Sequence, residues 1–230
     1  MKKTWEQTAG DYDKNCFGNG AFAASAGNMQ SLTFALAAVG RLLQGTPVSK
    51  TLQDLSTWSS EPTDLVGKSA IIKGMDAVIY DIGCAEGDGT AALSYMFPLS
   101  TITGIDISPV AIEHARARWP HLKFEVGDIH DLQFNKSAVI LVSHTIEHME
   151  FPAAVVKDLM ARCDILVVVV PPILVEAERI THCGAKVTAE WLSELPEPLY
   201  RTQYTTIRPD LDHGGVIEEG NILLVWYTAP

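Results

Sequence analysis

The sequence predicts an α/β fold: a seven-stranded, mostly parallel sheet with helices on both faces. From residue 77 onward, short apolar runs alternate with helical patterns, as in parallel sheets with crossover helices. Three of the runs, VIYDI, AVILVS and ILVVVV, are almost continuously apolar, which is typical of strands covered on both faces. A chain of 230 residues that is 47% apolar has room for one such domain and a modest appendage.

Residues 1–70 are predicted to form a helical amino-terminal cap, and residues 71–230 the core. The cap prediction rests on Gln30–Leu43, where leucine and valine recur along one helical face. Five core strands are predicted, at Ala77–Ile82, Thr101–Ile107, Lys123–Val126, Ser137–Ser143 and Asp164–Val170. The predicted helices between them are Thr90–Phe97, Pro109–Trp119 and Phe151–Arg162.

Capping and periodicity support two of these helices. Ser108 is a suitable N-cap before Pro109 at the first helical position. Phe151, Val155 and Leu159 share one face of the third helix. After a further helix at Thr188–Leu195, two runs, Tyr200–Ile207 and Ile222–Thr228, flank a turn-rich stretch, which predicts an antiparallel hairpin that closes the sheet.

The net charge and the cysteine content limit the classes of binding partner and the cellular compartment that we expect. The 17 basic and 28 acidic side chains give a net charge of −11, which repels nucleic acid and anionic membranes. The 4 cysteines lie far apart, and the amino terminus lacks the apolar stretch of a secretory signal. We therefore expect a cytoplasmic protein with reduced thiols, a monomer or homodimer, acting on a small molecule.

The most informative stretch is the apolar strand that runs into Gly83-Cys84-Ala85-Glu86-Gly87 and then into a helix. Glycine here permits positive φ and a close approach of the backbone to a ligand. A dinucleotide fingerprint can be placed on Gly87, Gly89 and Ala92, but these residues begin several positions after the strand. Because these glycines still permit the fingerprint, an NAD(P)-dependent oxidoreductase is kept as an alternative.

The spacing Asp81-x-Gly83-x-Ala85-x-Gly87 resembles the first motif of the class I S-adenosylmethionine-dependent methyltransferases, with alanine in place of the middle glycine. The resemblance implies a Rossmann-like fold, methyltransferase activity and S-adenosylmethionine as cofactor. It implies that Asp106 binds the ribose hydroxyls, that Asp128 accepts from the adenine amino group and that Ile129 covers the adenine ring. It also implies that Ser143 and His144 lie beside the methionine part. The implied cofactor-binding residues are Asp81, Gly83, Cys84, Ala85, Gly87, Asp106, Ile107, Asp128, Ile129 and Ser143.

A cluster of ionisable residues follows the fourth strand as His144-x-x-Glu147-His148. His144 and His148 are candidate general bases, since imidazole titrates near neutral pH, although the sequence prefers no single histidine. The spacing also resembles a metal-binding motif, E-x-x-E-H, of some ubiquinone-pathway and small-RNA methyltransferases. That resemblance implies a divalent metal held by Glu147, His148 and His182, with His213 as a second candidate for the later histidine.

Several functions remain open at this point. The leading hypothesis is methyl transfer to an oxygen or nitrogen of a small metabolite such as a sugar, a natural product or a quinone-like acceptor. A peptide or protein carboxyl methyltransferase is an alternative, because the acidic residues Asp210, Asp212, Glu218 and Glu219 could receive a basic peptide. A catalytically silent cofactor-binding partner is another.

Overall fold

The structure, a computed structural model, describes residues 77–134, 138–149, 151–170, 192–209 and 216–228. Its strands are β1 (Val78–Ile82), β2 (Thr101–Asp106), β3 (Lys123–Val126), β4 (Ala138–Ser143), β5 (Ile165–Val170), β6 (Tyr200–Pro209) and β7 (Val216–Tyr227). Its α-helices are α1 (Asp88–Met96), α2 (Pro109–Arg118) and α3 (Pro152–Met160), and a short 3₁₀ helix covers Ile146–His148.

The described strands form one sheet in the order β3-β2-β1-β4-β5-β7-β6. The five strands from β3 to β5 are parallel, with Ile82 level with Ile105 on β2 and with Val142 on β4. β7 runs antiparallel to both β5 and β6. The predicted mostly parallel sheet with an antiparallel terminal hairpin is therefore confirmed.

Apolar side chains pack on both faces of the sheet, because alternate residues of a strand point to opposite sides. On β5, Val167 belongs to one buried cluster and Val168 to another. Leu93 of α1 joins the first cluster and Leu159 of α3 joins the second. The continuous apolar runs of β4 and β5 thus supply both clusters, as the sequence predicted.

The helix predictions are confirmed in α2 and corrected in α3. The Ser108 hydroxyl accepts a hydrogen bond from the Ala111 N–H at 3.0 Å, and Pro109 begins the helix. α3 begins only at Pro152, so Phe151 precedes the helix and is 65% exposed. Phe151 does not share the buried face of Val155 and Leu159, because it occupies the N-cap position with non-helical dihedrals.

The terminal hairpin is longer than predicted. Its ladder runs from Tyr200 opposite Val225 to Pro209 opposite Val216, so the stretch 216–221 belongs to β7 rather than to a loop. Glu218 and Glu219 therefore lie on a paired strand, which corrects their placement in the turn-rich stretch between the two predicted strands. The backbone there continues to pair even though residues 218–221 lack the apolar character on which the prediction relied.

Some predictions fall on residues outside the described ranges. These are the helical cap at 1–70, the first half of the Thr188–Leu195 helix, and the candidates His182, Asp210, Asp212 and His213. In the second half of that predicted helix, residues 192 and 193 are helical and residues 194 and 195 are not. Within the described ranges, none of the helices has the length and apolar character that crossing a bilayer requires.

Candidate functional site

The carboxyl ends of the parallel strands bring the predicted site residues to one edge of the sheet. We call this the carboxyl edge. Because β1 ends at Ile82 beside β2 and β4, the turn that follows it lies between Asp106 and His144. Asp106 pairs in turn with Val126 of β3, two residues before Asp128. Open α/β sheets bind ligands at this edge.

The residues between β1 and α1, Gly83–Gly87, form what we call the glycine turn. Three of them have positive φ: Gly83 at 76°, Ala85 at 48° and Gly87 at 82°. The amides of Gly83 and Cys84 both donate to the Ile105 carbonyl, at 2.8 and 3.1 Å. The left-handed conformation at Ala85 is one that glycine adopts without strain, so alanine at this position is accommodated at a conformational cost.

The two glycines of this turn are also required by packing. A Cβ added to Gly83 would lie 1.9 Å from the Thr145 Oγ1 atom, and one added to Gly87 would lie 2.6 Å from the Phe124 ring. The sequence analysis predicted positive φ and room for a ligand. Positive φ is confirmed, and the space at each Cβ position is taken by a protein side chain.

Asp106 holds the glycine turn in place. Its Oδ2 atom accepts a hydrogen bond from the Ala85 N–H and its Oδ1 atom from the Ser108 N–H, both at 2.9 Å. The side chain is 7% exposed. Hydrogen bonds to a carboxylate are stronger than those between neutral groups, so this acid links the turn to the start of α2.

Asp81 is buried one residue before the end of β1. It is 4% exposed, and its Oδ2 atom accepts a hydrogen bond from the Thr90 hydroxyl at 2.7 Å. Burial raises the pKa of Asp81 from 3.8 to about 6, the Thr90 hydrogen bond opposes that rise, and the charge of Asp106 adds to it. Burial, followed by the charges of Asp81 and Asp106, also raises the pKa of the Cys84 thiol well above its usual range.

The segment after β3 carries the predicted adenine residues. The Oδ1 atom of Asp128 accepts from the His130 N–H at 3.0 Å, which closes a local turn. Ile129 is 5% exposed, and its carbonyl accepts from Arg162 at 3.3 Å. Arg162 also donates to the Leu132 carbonyl at 2.7 Å, so one guanidinium after α3 anchors this segment at two points. Ile107, one of the predicted cofactor-binding residues, directly follows β2 and is partly buried.

The residues His144–His148, which we call the post-β4 segment, carry the ionisable cluster. His144 has a φ of 52°, and its backbone N–H donates to the Val169 carbonyl of β5 at 2.9 Å. A left-handed histidine is strained, and such strain concentrates at functional sites. Ser143, immediately before it, is partly buried and level with Val169.

Glu147 is almost fully buried beside His144. The Glu147 Oε1 atom lies 3.5 Å from the His144 Nδ1 atom, and the two side chains are 3% and 23% exposed. The other polar atom of each side chain, Oε2 of Glu147 and Nε2 of His144, is buried without a hydrogen-bond partner. Buried polar atoms are rarely left unpaired, so these two atoms mark a place that a ligand or water can complete.

The metal prediction involves Glu147, His148 and His182, and the last lies outside the described residues. Among the residues that the structure describes, no group of three or more histidine, cysteine, aspartate or glutamate side chains could hold a metal ion. The metal therefore stays a prediction. His148 is partly buried and follows Glu147 in the 3₁₀ helix.

Sequence reasoning missed Thr145 and Thr90. The Thr145 hydroxyl lies within hydrogen-bonding distance of the Ile82 carbonyl at 3.4 Å and of the Ser143 carbonyl at 3.1 Å. It thereby ties the post-β4 segment to the glycine turn, whereas Thr90 ties α1 to Asp81. The position of Thr145 two residues after a predicted strand is a weak signal, because a threonine there is equally suited to a turn.

Comparisons with known proteins agree with this geometry. Residues 79–164 match a family model described as a methyltransferase domain. The match runs from β1 to the residues after α3, which are the elements that carry the glycine turn, the strand-end acids and the post-β4 segment. Over this segment, which is less than half of the chain, the protein is similar to methyltransferases.

Curated methyltransferases match a short part of the chain. A trans-aconitate 2-methyltransferase of Methylobacterium radiotolerans is 44% identical over 48 residues, which are 21% of this chain and 18% of that protein. The enzyme of the same name from Deinococcus radiodurans is 42% identical over 57 residues, 24% of this chain and 22% of that protein. The match thus spans about a fifth of the length of these relatives.

Two solved structures share the fold of this protein. One, from work on the conversion of a disulfide bond into a thioacetal group during echinomycin biosynthesis, has a TM-score of 0.50 at 17% identity, covering 69% of this chain and 77% of that one. The other belongs to a complex between the Haloferax volcanii Trm112 methyltransferase activator and a methyltransferase. Its TM-score is 0.51 at 16% identity, covering 65% of this chain and 82% of that one.

Proposed function

We propose that this protein is an S-adenosylmethionine-dependent methyltransferase that transfers a methyl group to an oxygen or nitrogen atom of a small metabolite, such as a sugar, a natural product or a quinone-like compound. The observation that carries the proposal is the methyltransferase-domain match, because residues 79–164 include the elements that build the carboxyl edge. The acidic edge also suits a cofactor whose sulfonium and amino groups are positively charged.

The proposed cofactor contacts follow the strand order. Asp128 and Ile129 after β3 would hold the adenine, and Asp106 and Ile107 after β2 the ribose. A carboxylate can accept several hydrogen bonds, so we expect Asp106 to accept from the ribose hydroxyls as well as from two backbone amides. The remaining proposed contacts come from the ends of β1 and β4, and they are Asp81, Gly83, Cys84, Ala85, Gly87 and Ser143.

The main chemical task of the protein's own residues is to position the acceptor against the methyl group of the cofactor. When bound, S-adenosylmethionine supplies a methyl group on a sulfonium, which an acceptor displaces in line. The carboxyl edge would orient the acceptor and exclude water from it. For a hydroxyl acceptor a base is also needed, and His144 and His148 are the proposed residues, since an imidazole can take the proton that the acceptor loses.

A carboxylate acceptor is the second candidate. The relatives with the matching segment are trans-aconitate 2-methyltransferases, and a carboxylate needs no base. A peptide carboxyl group is one acceptor of this kind. Because the match spans about a fifth of those proteins, it supports the shared cofactor region more than the acceptor.

The test of the proposal is methyl transfer from radiolabelled S-adenosylmethionine to panels of acceptors. One panel holds sugars, phenols and amines, and the other holds trans-aconitate, related polycarboxylates and acidic peptides. Label in the first panel supports the leading function, and label confined to the second supports the carboxylate alternative. Failure of the protein to bind the cofactor would contradict both.

A further inference from the structure

We propose that His114 on α2 is a positioning residue for the cofactor site, because its ion pair with Glu86 holds the glycine turn in the conformation that binds the cofactor. Cofactor affinity should then depend on whether the His114 imidazole is protonated. This inference rests on the proposed function, since the glycine turn carries several of the proposed cofactor contacts. His114 itself is not one of those contacts.

Ionisable side chains cluster between the glycine turn, the start of α1 and one face of α2. The Glu86 Oε1 atom lies 2.9 Å from the His114 Nδ1 atom. The Arg118 Nη1 atom lies 3.2 Å from the Asp88 Oδ2 atom and 3.9 Å from the Glu86 Oε2 atom. His114 and Arg118 are one helical turn apart, so they share one face of α2. We call Glu86, Asp88, His114 and Arg118 the turn clamp.

The two acids of the turn clamp need positive charge beside them. Glu86 is 18% exposed and Asp88 is 13% exposed, and only Gly87 separates them in the chain. Burial raises the pKa of Asp88, the charge of Arg118 opposes that rise, and the charge of Glu86 adds to it. Because the two carboxylates repel each other in a partly buried place, cationic side chains on α2 stabilise the backbone conformation that brings them together.

The backbone that the turn clamp holds also belongs to the proposed cofactor site. Glu86 lies between Ala85, at a φ of 48°, and Gly87, at a φ of 82°. The left-handed conformation of Ala85 has a cost that contacts of the turn must offset. One such contact joins the Ala85 N–H to Asp106, and the Glu86–His114 pair is a second. When the second contact weakens, the binding conformation is less populated and the apparent cofactor affinity falls in proportion.

Protonation of His114 changes the strength of its contact with Glu86. A neutral imidazole can donate a hydrogen bond to the carboxylate, whereas an imidazolium also brings a positive charge. Imidazole groups titrate near neutral pH, so the full ion pair is present at acidic pH and is lost as the pH rises. The other charged groups of this cluster are Asp88 on α1 and Arg118 on α2. Since the His114 side chain is 47% exposed, we expect an effect of about two- to fivefold.

The experiment is calorimetric titration of the full chain with S-adenosylhomocysteine at about pH 5.5 and about pH 8, on either side of the imidazole titration. His114→Gln keeps an N–H donor but carries no charge. It should bind about two- to fivefold more weakly than wild type at the lower pH and within about 1.5-fold of wild type at the higher pH. Titration of the ligand's own amino group affects both proteins equally, so the ratio of their affinities is the measured quantity.

His114→Lys tests the charge directly, because lysine stays positive at both pH values. It should bind about two- to fivefold more tightly than His114→Gln at both. His121→Gln is the matched control, since His121 is also exposed but its ring packs 6.5 Å from that of Trp119. It should bind like wild type at both pH values.

Two results would overturn the inference. One is wild-type affinity of His114→Gln at the lower pH. The other is an equal loss at both pH values that His114→Lys does not restore, because this would show a role in packing alone. A wild-type protein that binds no S-adenosylhomocysteine at either pH contradicts the proposed function instead.

Discussion

Asp106 shows how one side chain can serve both the fold and the proposed cofactor site. Its two oxygens each accept a backbone N–H at 2.9 Å, one from the glycine turn and one from the start of α2. The family resemblance implied only a ribose contact for Asp106. The structure adds two backbone contacts, so the same residue holds the glycine turn and is the proposed ribose ligand.

Replacing Asp106 by alanine should weaken the binding of S-adenosylmethionine by about 1–3 kcal/mol, because charge-assisted hydrogen bonds to the ribose and to the glycine turn are lost. Calorimetric titration of the folded variant measures this. Asp131→Ala, which alters an exposed acid near the same edge, serves as the control and should bind normally. Wild-type affinity in Asp106→Ala would contradict the assignment of this residue.

The buried carboxyl group of Asp81 should make the free energy of unfolding depend on pH. Burial raises its pKa from 3.8 to about 6, so between these values the folded protein holds a proton that the unfolded chain releases. The contribution of Asp81 to stability is therefore present at low pH and is lost as the pH rises through this window. Asparagine at position 81 carries no charge and keeps an oxygen that can accept from the Thr90 hydroxyl.

The free energy of unfolding of Asp81→Asn, relative to wild type, should accordingly rise by about 1–3 kcal/mol between pH 4 and pH 7.5. Urea unfolding at several pH values measures the difference. The exposed substitution Asp131→Asn should show no such trend. A pH-independent difference between Asp81→Asn and wild type would mean that Asp81 titrates normally.

At the scale of elements, the glycine turn and the post-β4 segment form one packed unit. The Thr145 side chain occupies the space beside Gly83, and its hydroxyl reaches the last carbonyl of β1. The two segments come from strands that are neighbours in the sheet but far apart in sequence. A change in one segment should therefore be felt by the other.

Gly83→Ala should be strongly destabilising, because its Cβ would lie 1.9 Å from the Thr145 Oγ1 atom at a φ of 76°. Thr145→Ala removes that atom, so the double variant should lose about 0.5–3 kcal/mol less than the sum of the two single changes. Denaturant unfolding of all four proteins gives the coupling energy. Strict additivity would show that the two segments do not pack in this way.

The elements of the core could be predicted because each has a strong local signal. Continuous apolar runs mark β4 and β5, and Ser108-Pro109 marks the start of α2. The contacts within the site could not be predicted, since the partners of Asp106, Glu147 and Gly83 depend on backbone geometry and on residues far away in sequence. Spacing places acids at strand ends but does not say which atoms they meet.

At the level of the whole molecule, the apolar residues of β7 agree with its position inside the sheet, next to β5, with β6 at the edge. Residues 222–226 of β7 are all buried, which suits its position between β5 and β6. The order of strands in a sheet depends on contacts between residues far apart in sequence. The pattern of a hairpin alone predicts only that its two strands pair with each other. The parallel half of the sheet carries the proposed cofactor site.

The net charge of −11 is also a property of the whole molecule. It agrees with a small or cationic ligand better than with a phosphate backbone. The acids at the carboxyl edge, Asp81, Asp106, Asp128 and Glu147, concentrate negative charge around the proposed path of a positively charged cofactor. This arrangement favours S-adenosylmethionine over a dinucleotide with its anionic pyrophosphate.

Parallel calorimetric titrations with S-adenosylmethionine, S-adenosylhomocysteine, NADH and NADPH distinguish the proposed methyltransferase from a nicotinamide-dependent enzyme. We predict that the two adenosyl ligands bind with one-to-one stoichiometry and that neither nicotinamide cofactor binds. Binding of NADH or NADPH in place of the adenosyl ligands would mean that the glycine turn accommodates a dinucleotide, and it would contradict the proposed methyltransferase function.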